Sequence, residues 1–239
     1  MTYIQNNLMN LISNKKLTFL AGAGCSRNSP SNLPTGAQMM NTILKFSCHS
    51  DYINNFLEQL DEGMLRFESL IEIFKDLLDK DLKCIKYYSL CDKPNIIHYF
   101  LATMINRGHF VITTNFDCLI EYALINLEVP ITDILPIITK EDYKRYDNPY
   151  KIIDNGMKAI YKIHGSYKNV ITQESTKNSL MATISSLGKG RKGMSLFQFE
   201  PEKIPLLEKI LTKRSLVVLG YSGSDDFDVI PTLKYMKNI

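Results

Sequence analysis

The chain has 239 residues, of which 45% are hydrophobic and 22% are charged. This composition is typical of a globular protein and excludes the disordered, collagenous and coiled-coil classes. The net charge of +3 is too small to indicate nucleic-acid binding, so no specific nucleic acid is expected. No segment approaches the roughly 20 continuous apolar residues of a membrane span, and the first residues lack the features of a signal peptide. We therefore expect one cytoplasmic domain over residues 1–239, without a membrane partner.

Neither the cysteines nor the histidines have the spacing of a metal site. The five cysteines include no CxxC pair, and the four histidines include no HExxH pattern. The sequence therefore predicts no zinc site and no disulfide framework. Residues 1–50 contain four basic residues and no acidic one, which fits either a solvated basic face or an anionic ligand near this part of the chain.

Apolar periodicity predicts the elements of the first half of the chain. Residues 3–14 predict a helix, and the short apolar run Leu17–Ala21 predicts a strand that ends in a glycine-rich turn. From about residue 37 to residue 105 the apolar residues recur at intervals of three and four, which predicts a helical insertion.

The second half of the chain begins with a β-branched run at residues 109–113, which predicts a strand, and residues 117–126 predict the helix after it. Residues 131–158 mix prolines, charges and short apolar pairs, and they indicate no clear element. The segment 187–195, rich in Lys, Gly and Ser, is expected to be mobile. Three further elements are predicted: a helix at 204–211 and strands at 159–163 and 215–219.

Four short apolar strands separated by helical segments predict a Rossmann-like α/β fold. Its parallel sheet would be covered by helices on both faces and would carry the helical insertion. Ligands of such sheets bind outside the carboxyl ends of the strands. Four polar motifs, GAGCS, TTNFD, HGS and GYSGSDD, follow the four strands at that end. Their common position favours one site assembled from four loops over unrelated structural turns.

Each motif alone also has a structural explanation. GAGCS could cradle a phosphate, but a tight turn explains it equally well, because Arg27 stands where the dinucleotide fingerprint has its third glycine. One polar residue of TTNFD could simply cap a helix. A lone histidine such as His164 is more often structural than catalytic, although histidine titrates near neutrality, as a general base must. His98 is expected to be a helix-face residue, and the serine of GYSGS is out of frame for a nucleophile elbow.

In order and spacing, the four motifs resemble those of the sirtuin (silent information regulator two) family over roughly residues 17–228. GAGCS resembles that family's loop on the NAD pyrophosphate, and TTNFD resembles its segment beside the nicotinamide ribose. KIHGS resembles the strand end that carries the catalytic histidine, and GYS resembles the loop near the adenosine ribose. The resemblance implies that Asn115 and His164 are catalytic. It also implies NAD contacts for a further set of residues: Gly22, Ala23, Gly24, Cys25, Ser26, Thr114, Asp117, Gly220, Tyr221 and Ser222.

The resemblance also implies roles for the catalytic and for some of the NAD-contact residues. Asn115 would hold the ribose or a water molecule, and His164 would accept a proton. The N–H groups of Gly22 and Gly24 would fix the pyrophosphate, so that a valine at position 24 would clash with it. Asp117 would orient its loop or the nicotinamide amide.

Two departures distinguish the sequence from sirtuin protein deacylases. It lacks the two CxxC pairs of their zinc ribbon, and it lacks the G-I-P-D-F-R sequence after the first loop. In both respects it is similar to the bacterial sirtuin-like domains of antiphage defence, which hydrolyse NAD to ADP-ribose and nicotinamide. This similarity implies an NAD glycohydrolase that needs no metal. We expect a homo-oligomer and a longer chain, with a C-terminal sensor or repeat region triggered by a phage component.

Two other functions remain open at this point. The domain could sense or bind NAD or ADP-ribose without turnover, or it could be an NAD-dependent deacylase or ADP-ribosyltransferase. The missing zinc module disfavours the second, and the presence of both Asn115 and His164 favours an enzyme over a binding module.

Overall fold

The computed structural model describes residues 3–188, 199–223 and 229–237. Residues 189–195 of the segment expected to be mobile lie outside the described residues, as do residues 224–228 of the last motif. Within the described ranges, five strands form one parallel sheet. The strands are β1 (Leu17–Ala21), β2 (Phe110–Thr113), β3 (Ile134–Ile137), β4 (Lys158–Lys162) and β5 (Ser215–Leu219).

The order of the strands across the sheet is β3-β4-β2-β1-β5. The sequence predicts four of these strands and misses β3, whose Pro136 interrupts the apolar pattern. A proline lacks the N–H group that a strand with two neighbours needs, but β3 lies at the edge of the sheet and pairs with β4 alone. The predicted Rossmann-like α/β fold is confirmed with one strand more than expected.

Twelve helices accompany the sheet within the described ranges. They are α1 (Tyr3–Ser13), α2 (Gly36–Ser47), α3 (Ser50–Asp61), α4 (Phe67–Leu77), α5 (Lys83–Lys86), α6 (Ile96–Asn106), α7 (Leu119–Asn126), α8 (Lys140–Arg145), α9 (Pro149–Asp154), α10 (Ile184–Gly188), α11 (Ile204–Leu211) and α12 (Val229–Lys237). No described helix is long and apolar enough to cross a membrane.

The sheet buries both of its faces because successive side chains of a strand point to opposite sides. Phe19 and Ala21 of β1 pack into one core with residues of α6 and α7. Leu20, the residue between them, packs into the opposite core with residues of α9, α11 and α12. All five side chains of β1 are buried, which explains why its sequence is a continuous apolar run rather than an alternating one.

The helices α2 to α5 form a third core, which lies beside the carboxyl edge of the sheet. Helix α2 begins at a capping box, in which the Thr35 hydroxyl accepts from the Gln38 N–H and the Gln38 side chain accepts from the Thr35 N–H. Helix α6, which falls inside the predicted insertion, packs instead against the sheet and α7. The helices that stand apart from the sheet therefore span residues 36–86.

Candidate functional site

A cleft of about 610 Å³ opens at the carboxyl ends of β1, β2, β4 and β5. The structure thus brings the four sequence motifs together in one place, with the helices of the third core as the opposite wall. Nineteen described residues line the cleft: Ala23, Gly24, Ser26, Pro34, Thr35, Gly36, Ala37, Phe67, Glu68, Tyr88, Thr114, Asn115, Phe116, Asp117, His164, Gly220, Tyr221, Ser222 and Gly223.

Both predicted catalytic residues and eight of the ten predicted NAD-contact residues are in this lining. The two that do not line the cleft are Gly22 and Cys25. The Cys25 thiol is buried and donates to the Leu219 carbonyl at 3.2 Å. Burial raises the pKa of this thiol to about 11. Cys25 is therefore a neutral packing residue behind the first loop.

The glycine N–H groups of the first loop are already engaged within the protein. Gly22 donates to the Leu219 carbonyl at 2.9 Å, and Gly24 donates to the Gly220 carbonyl at 2.8 Å. The expectation that these two N–H groups fix a pyrophosphate is wrong for this structure. They bind the loop after β1 to the loop after β5.

Close packing of these two loops explains the glycines. A Cβ atom at Gly22 would lie 2.7 Å from the Gly220 oxygen, and one at Gly24 would lie 2.8 Å from the same atom. Gly220 itself has a φ of +60°, which also favours glycine. A side chain at position 24 would therefore collide with the backbone of Gly220, whether or not a ligand is bound.

Asp117 is tied into the protein through both of its carboxylate oxygens. Ser26 donates its hydroxyl to Oδ2 at 2.7 Å, and the Leu119 N–H, at the start of α7, donates to Oδ1 at 3.1 Å. The residue is only 4% exposed. These contacts fit a residue that orients its own loop, one of the two roles expected for it.

Among the described residues, the side-chain amide of Asn115 is hydrogen-bonded through its nitrogen alone. Its Nδ2 donates to the Gly22 carbonyl and to the Ser26 hydroxyl, both at 3.2 Å. The Gly22 carbonyl can only accept, so the Asn115 Nδ2 must face it. This contact fixes the orientation of the side-chain amide. Its Oδ1 is buried and has no hydrogen-bond partner among the described residues. Buried polar atoms of this kind are rare, and one in a cleft wall indicates an acceptor for a ligand.

His98 joins this network, which the sequence analysis missed. It lies on α6 and is 1% exposed, and its Nε2 lies 3.1 Å from the Ser26 hydroxyl oxygen. Its Nδ1 accepts from the Asn95 N–H at 3.0 Å. Burial lowers the pKa of the ring, against the opposing effect of Asp117, so the ring is neutral at pH 7.

His164 lines the cleft directly after β4, and its side chain is partly buried. Its carbonyl accepts from the Met181 N–H at 3.0 Å, which holds the backbone of the strand end. The following Gly165 has a φ of +77°, and a Cβ atom there would collide with the Ser179 carbonyl. This glycine therefore serves a tight turn, in which a larger residue would collide with the Ser179 backbone.

A buried ion pair stabilises the second loop, which follows β2, from inside the protein. Lys162 and Glu121 are each 1% exposed, and their side chains approach to 3.3 Å. Lys162 also donates to the Asp117 carbonyl. Although burial alone would lower the pKa of Lys162, the Glu121 carboxylate raises it, so the ammonium group stays charged beneath the cleft.

The described lining contains two acids, Glu68 and Asp117, and one histidine, but neither lysine nor arginine. None of the four bases of residues 1–50 lines the cleft, and Arg27 lines a neighbouring cavity of about 1280 Å³ among the helices α2 to α5. An anionic ligand would thus not meet that basic run here. Among the residues that the structure describes, no cluster of three or more His, Cys, Asp or Glu could hold a metal ion.

The family model of the SIR2-like domain matches residues 109–233, which is just over half of the chain. The chain belongs to the SIR2-like domain family. No curated protein matches the chain significantly. The matched segment of the SIR2-like domain carries three of the four motifs, and the strand β1 with its glycine loop precedes the match. In the sheet, β1 nevertheless lies between β2 and β5, so the unmatched segment completes the cleft.

SIR2-like domains are generally NAD-dependent enzymes, so membership of the family indicates an NAD-related function. This agrees with the resemblance that the four motifs carry in the sequence.

Proposed function

We propose that this SIR2-like domain is an NAD glycohydrolase that cleaves NAD to ADP-ribose and nicotinamide. The observation that carries the proposal is the Asn115 Oδ1 atom, a buried acceptor in the wall of the cleft without a partner among the described residues. A ribose hydroxyl or a water molecule can donate to this atom. The glycosidic bond of NAD joins such a ribose to nicotinamide.

The chemistry of this bond explains why an amide oxygen suits the site. Breaking it develops positive oxocarbenium charge on the ribose, which an oriented dipole can stabilise. The oxygen end of the Asn115 amide is negative and is held in place by two hydrogen bonds from its nitrogen. His164, in the same lining, would accept the proton of the ribose hydroxyl or of the attacking water.

Hydrolysis is favoured over protein deacylation because the chain has no CxxC pair with which to build a zinc ribbon. The same feature motivates the biological part of the proposal, which is NAD depletion as an effector of bacterial antiphage defence. In that setting the domain would act as a homo-oligomer, under the control of a sensor or repeat region.

The proposal is tested by incubating the purified protein with NAD and measuring free nicotinamide and ADP-ribose by chromatography. Parallel reactions contain an acetylated peptide. We expect nicotinamide and ADP-ribose in equal amounts, without any requirement for peptide. NAD binding without turnover would favour a sensing module, and release that depends on the peptide would favour a deacylase. Either result would contradict the proposal.

The variant His164→Ala adds a residue-level test. Losing a general base typically lowers the rate by about 100- to 10,000-fold. His49→Ala is the matched control, because His49 is exposed, is not in the cleft lining, and accepts through its Nδ1 from the Asp51 N–H. A folded His164→Ala protein that keeps the wild-type rate would remove this residue from the reaction.

A further inference from the structure

The network behind Asn115 begins at the start of α6, at Asn95 and His98. The Asn95 side chain donates to the Cys25 carbonyl at 2.8 Å and thereby ties this helix to the loop after β1. Its backbone N–H donates to His98 Nδ1 at 3.0 Å. The helix start, the first loop and the second loop thus meet at one buried point.

The contact with Asn95 fixes the position of the proton on the His98 ring. A backbone N–H can only donate, so Nδ1 must carry a lone pair. A neutral imidazole then carries its proton on Nε2. Burial, which lowers the pKa of this ring, supports the neutral form. His98 is therefore a hydrogen-bond donor towards Ser26, whose oxygen lies 3.1 Å from Nε2.

The hydroxyl of Ser26 can donate once and accept twice. It donates to Asp117 Oδ2 at 2.7 Å and accepts from Asn115 Nδ2 at 3.2 Å. The proton on His98 Nε2 takes the remaining acceptor position. With the opposite tautomer, His98 would compete with Asp117 for the single Ser26 proton, and the hydroxyl would no longer be fixed as an acceptor for the Asn115 amide.

We propose that His98 is a positioning residue, which acts through Ser26 to hold the Asn115 amide with its Oδ1 available to the substrate. This inference rests on the proposed NAD glycohydrolase function and names a residue that the sequence motifs do not include. His98 itself is not in the cleft lining and would not touch NAD.

A purely structural role for His98 is the alternative, because its Nδ1 also completes the capping box of α6. Two substitutions separate the roles. In His98→Asn the shorter amide can still accept from the Asn95 N–H, but it cannot reach Ser26. In His98→Gln, the longer side chain carries its amide nitrogen to about the level of Nε2, where it can donate to Ser26. The matched control is His109→Asn, because His109 is also buried and its Nδ1 accepts from the Leu17 N–H.

The kinetic experiment measures kcat and KM for nicotinamide release. We expect His98→Asn to lower kcat about tenfold, the equivalent of one buried hydrogen bond, with little change in KM. His98→Gln should restore most of the loss, and His109→Asn should have little effect. If His98→Asn is folded and keeps the wild-type kcat, or if His98→Gln is no better than His98→Asn, the positioning role is wrong.

A second measurement does not depend on activity. Long-range ¹⁵N–¹H correlation spectra of the histidine rings report the tautomer of His98, and the side-chain amide signals of Asn115 report its environment. We expect the Nε2–H tautomer in the wild type and shifted Asn115 amide signals in His98→Asn. The opposite tautomer, or unchanged Asn115 signals, would overturn this inference. Failure of the proposed function would appear differently, as a wild-type protein that releases no nicotinamide.

Discussion

Two loops lie side by side at the carboxyl edge of the sheet, and they use their polar groups differently. In the loop after β1, the N–H groups of Gly22 and Gly24 donate to carbonyls at the end of β5 and just beyond it. In the loop after β2, the amide of Asn115 keeps an oxygen without a partner among the described residues. The two glycine N–H groups of the first loop are thus used within the protein, whereas the second loop leaves a hydrogen-bond acceptor in the cleft wall.

The two loops are therefore stabilised in different ways, the first by close backbone packing and the second by side-chain contacts. Glycines in the first loop allow two backbones to pack closely, so a substitution there should act on folding. The second loop is held rigid by side-chain hydrogen bonds and by the ion pair beneath it, so that the Asn115 amide keeps one orientation. Substitutions of Asn115 itself should therefore act on chemistry, whereas substitutions in the Lys162–Glu121 ion pair should act on stability first.

The largest stability effect is expected for Lys162→Met, which removes the support beneath the second loop. Glu121 would remain buried without its cation, and breaking such a pair typically costs about 3–5 kcal/mol. Chemical denaturation should therefore give a free energy of unfolding that is lower by about this amount.

Lys158→Met is the matched control, because Lys158 lies at the other end of β4 and is only partly buried. It should change the free energy of unfolding by less than about 1 kcal/mol, as is usual for lysines near the surface. Equal effects of the two substitutions would mean that the buried pair does not stabilise the second loop as described.

A smaller loss of stability is expected for Gly24→Ala in the first loop. The added Cβ would lie 2.8 Å from the Gly220 oxygen and 2.9 Å from the Gly220 Cα, so the two loops must separate. Overpacking of this kind typically costs about 1–3 kcal/mol. For a protein of this size, the melting temperature should fall by roughly 2–4 °C per kcal/mol.

Gly36→Ala gives the comparison for this prediction, because a Cβ at Gly36 would meet only the Phe67 ring, at 3.4 Å. It should leave the melting temperature almost unchanged. If Gly24→Ala were equally harmless, the first loop would have room for a side chain, and its glycines would need another explanation.

The sequence predicted the sheet well because its central strands are buried on both faces. β1, for example, is a short apolar run without polar alternation, which is typical of a strand that is buried on both faces. The edge strand β3 was missed because Pro136 lies inside it. An edge strand tolerates a proline, which lacks the N–H group that a central strand needs for its second neighbour. The motifs following β1, β2, β4 and β5 were correctly expected at one edge, since parallel strands end on the same side.

Other features of the site could not be predicted, because they depend on contacts between distant segments. Glu68 reaches the cleft from the helices beside the sheet, and His98 reaches Ser26 across 72 positions of sequence. The only local signal for His98 was the N-cap pattern Asn95-x-x-His98, which indicates a helix start and not a site. The roles of Gly22 and Gly24 were misread because a glycine looks the same in sequence whether it faces a ligand or a backbone.

Asn115 Oδ1, which has no partner in the described part of the chain, is proposed to take part in NAD cleavage. The most direct test compares Asn115→Ala with Asn126→Ala, which makes the same change at an exposed residue whose side-chain amide donates to the Tyr99 hydroxyl. Nicotinamide release should fall roughly 100-fold or more in Asn115→Ala, as for other oriented polar groups of active sites, with NAD binding retained. Asn126→Ala should keep the wild-type rate. A folded Asn115→Ala protein that releases nicotinamide as fast as the wild type would contradict the account.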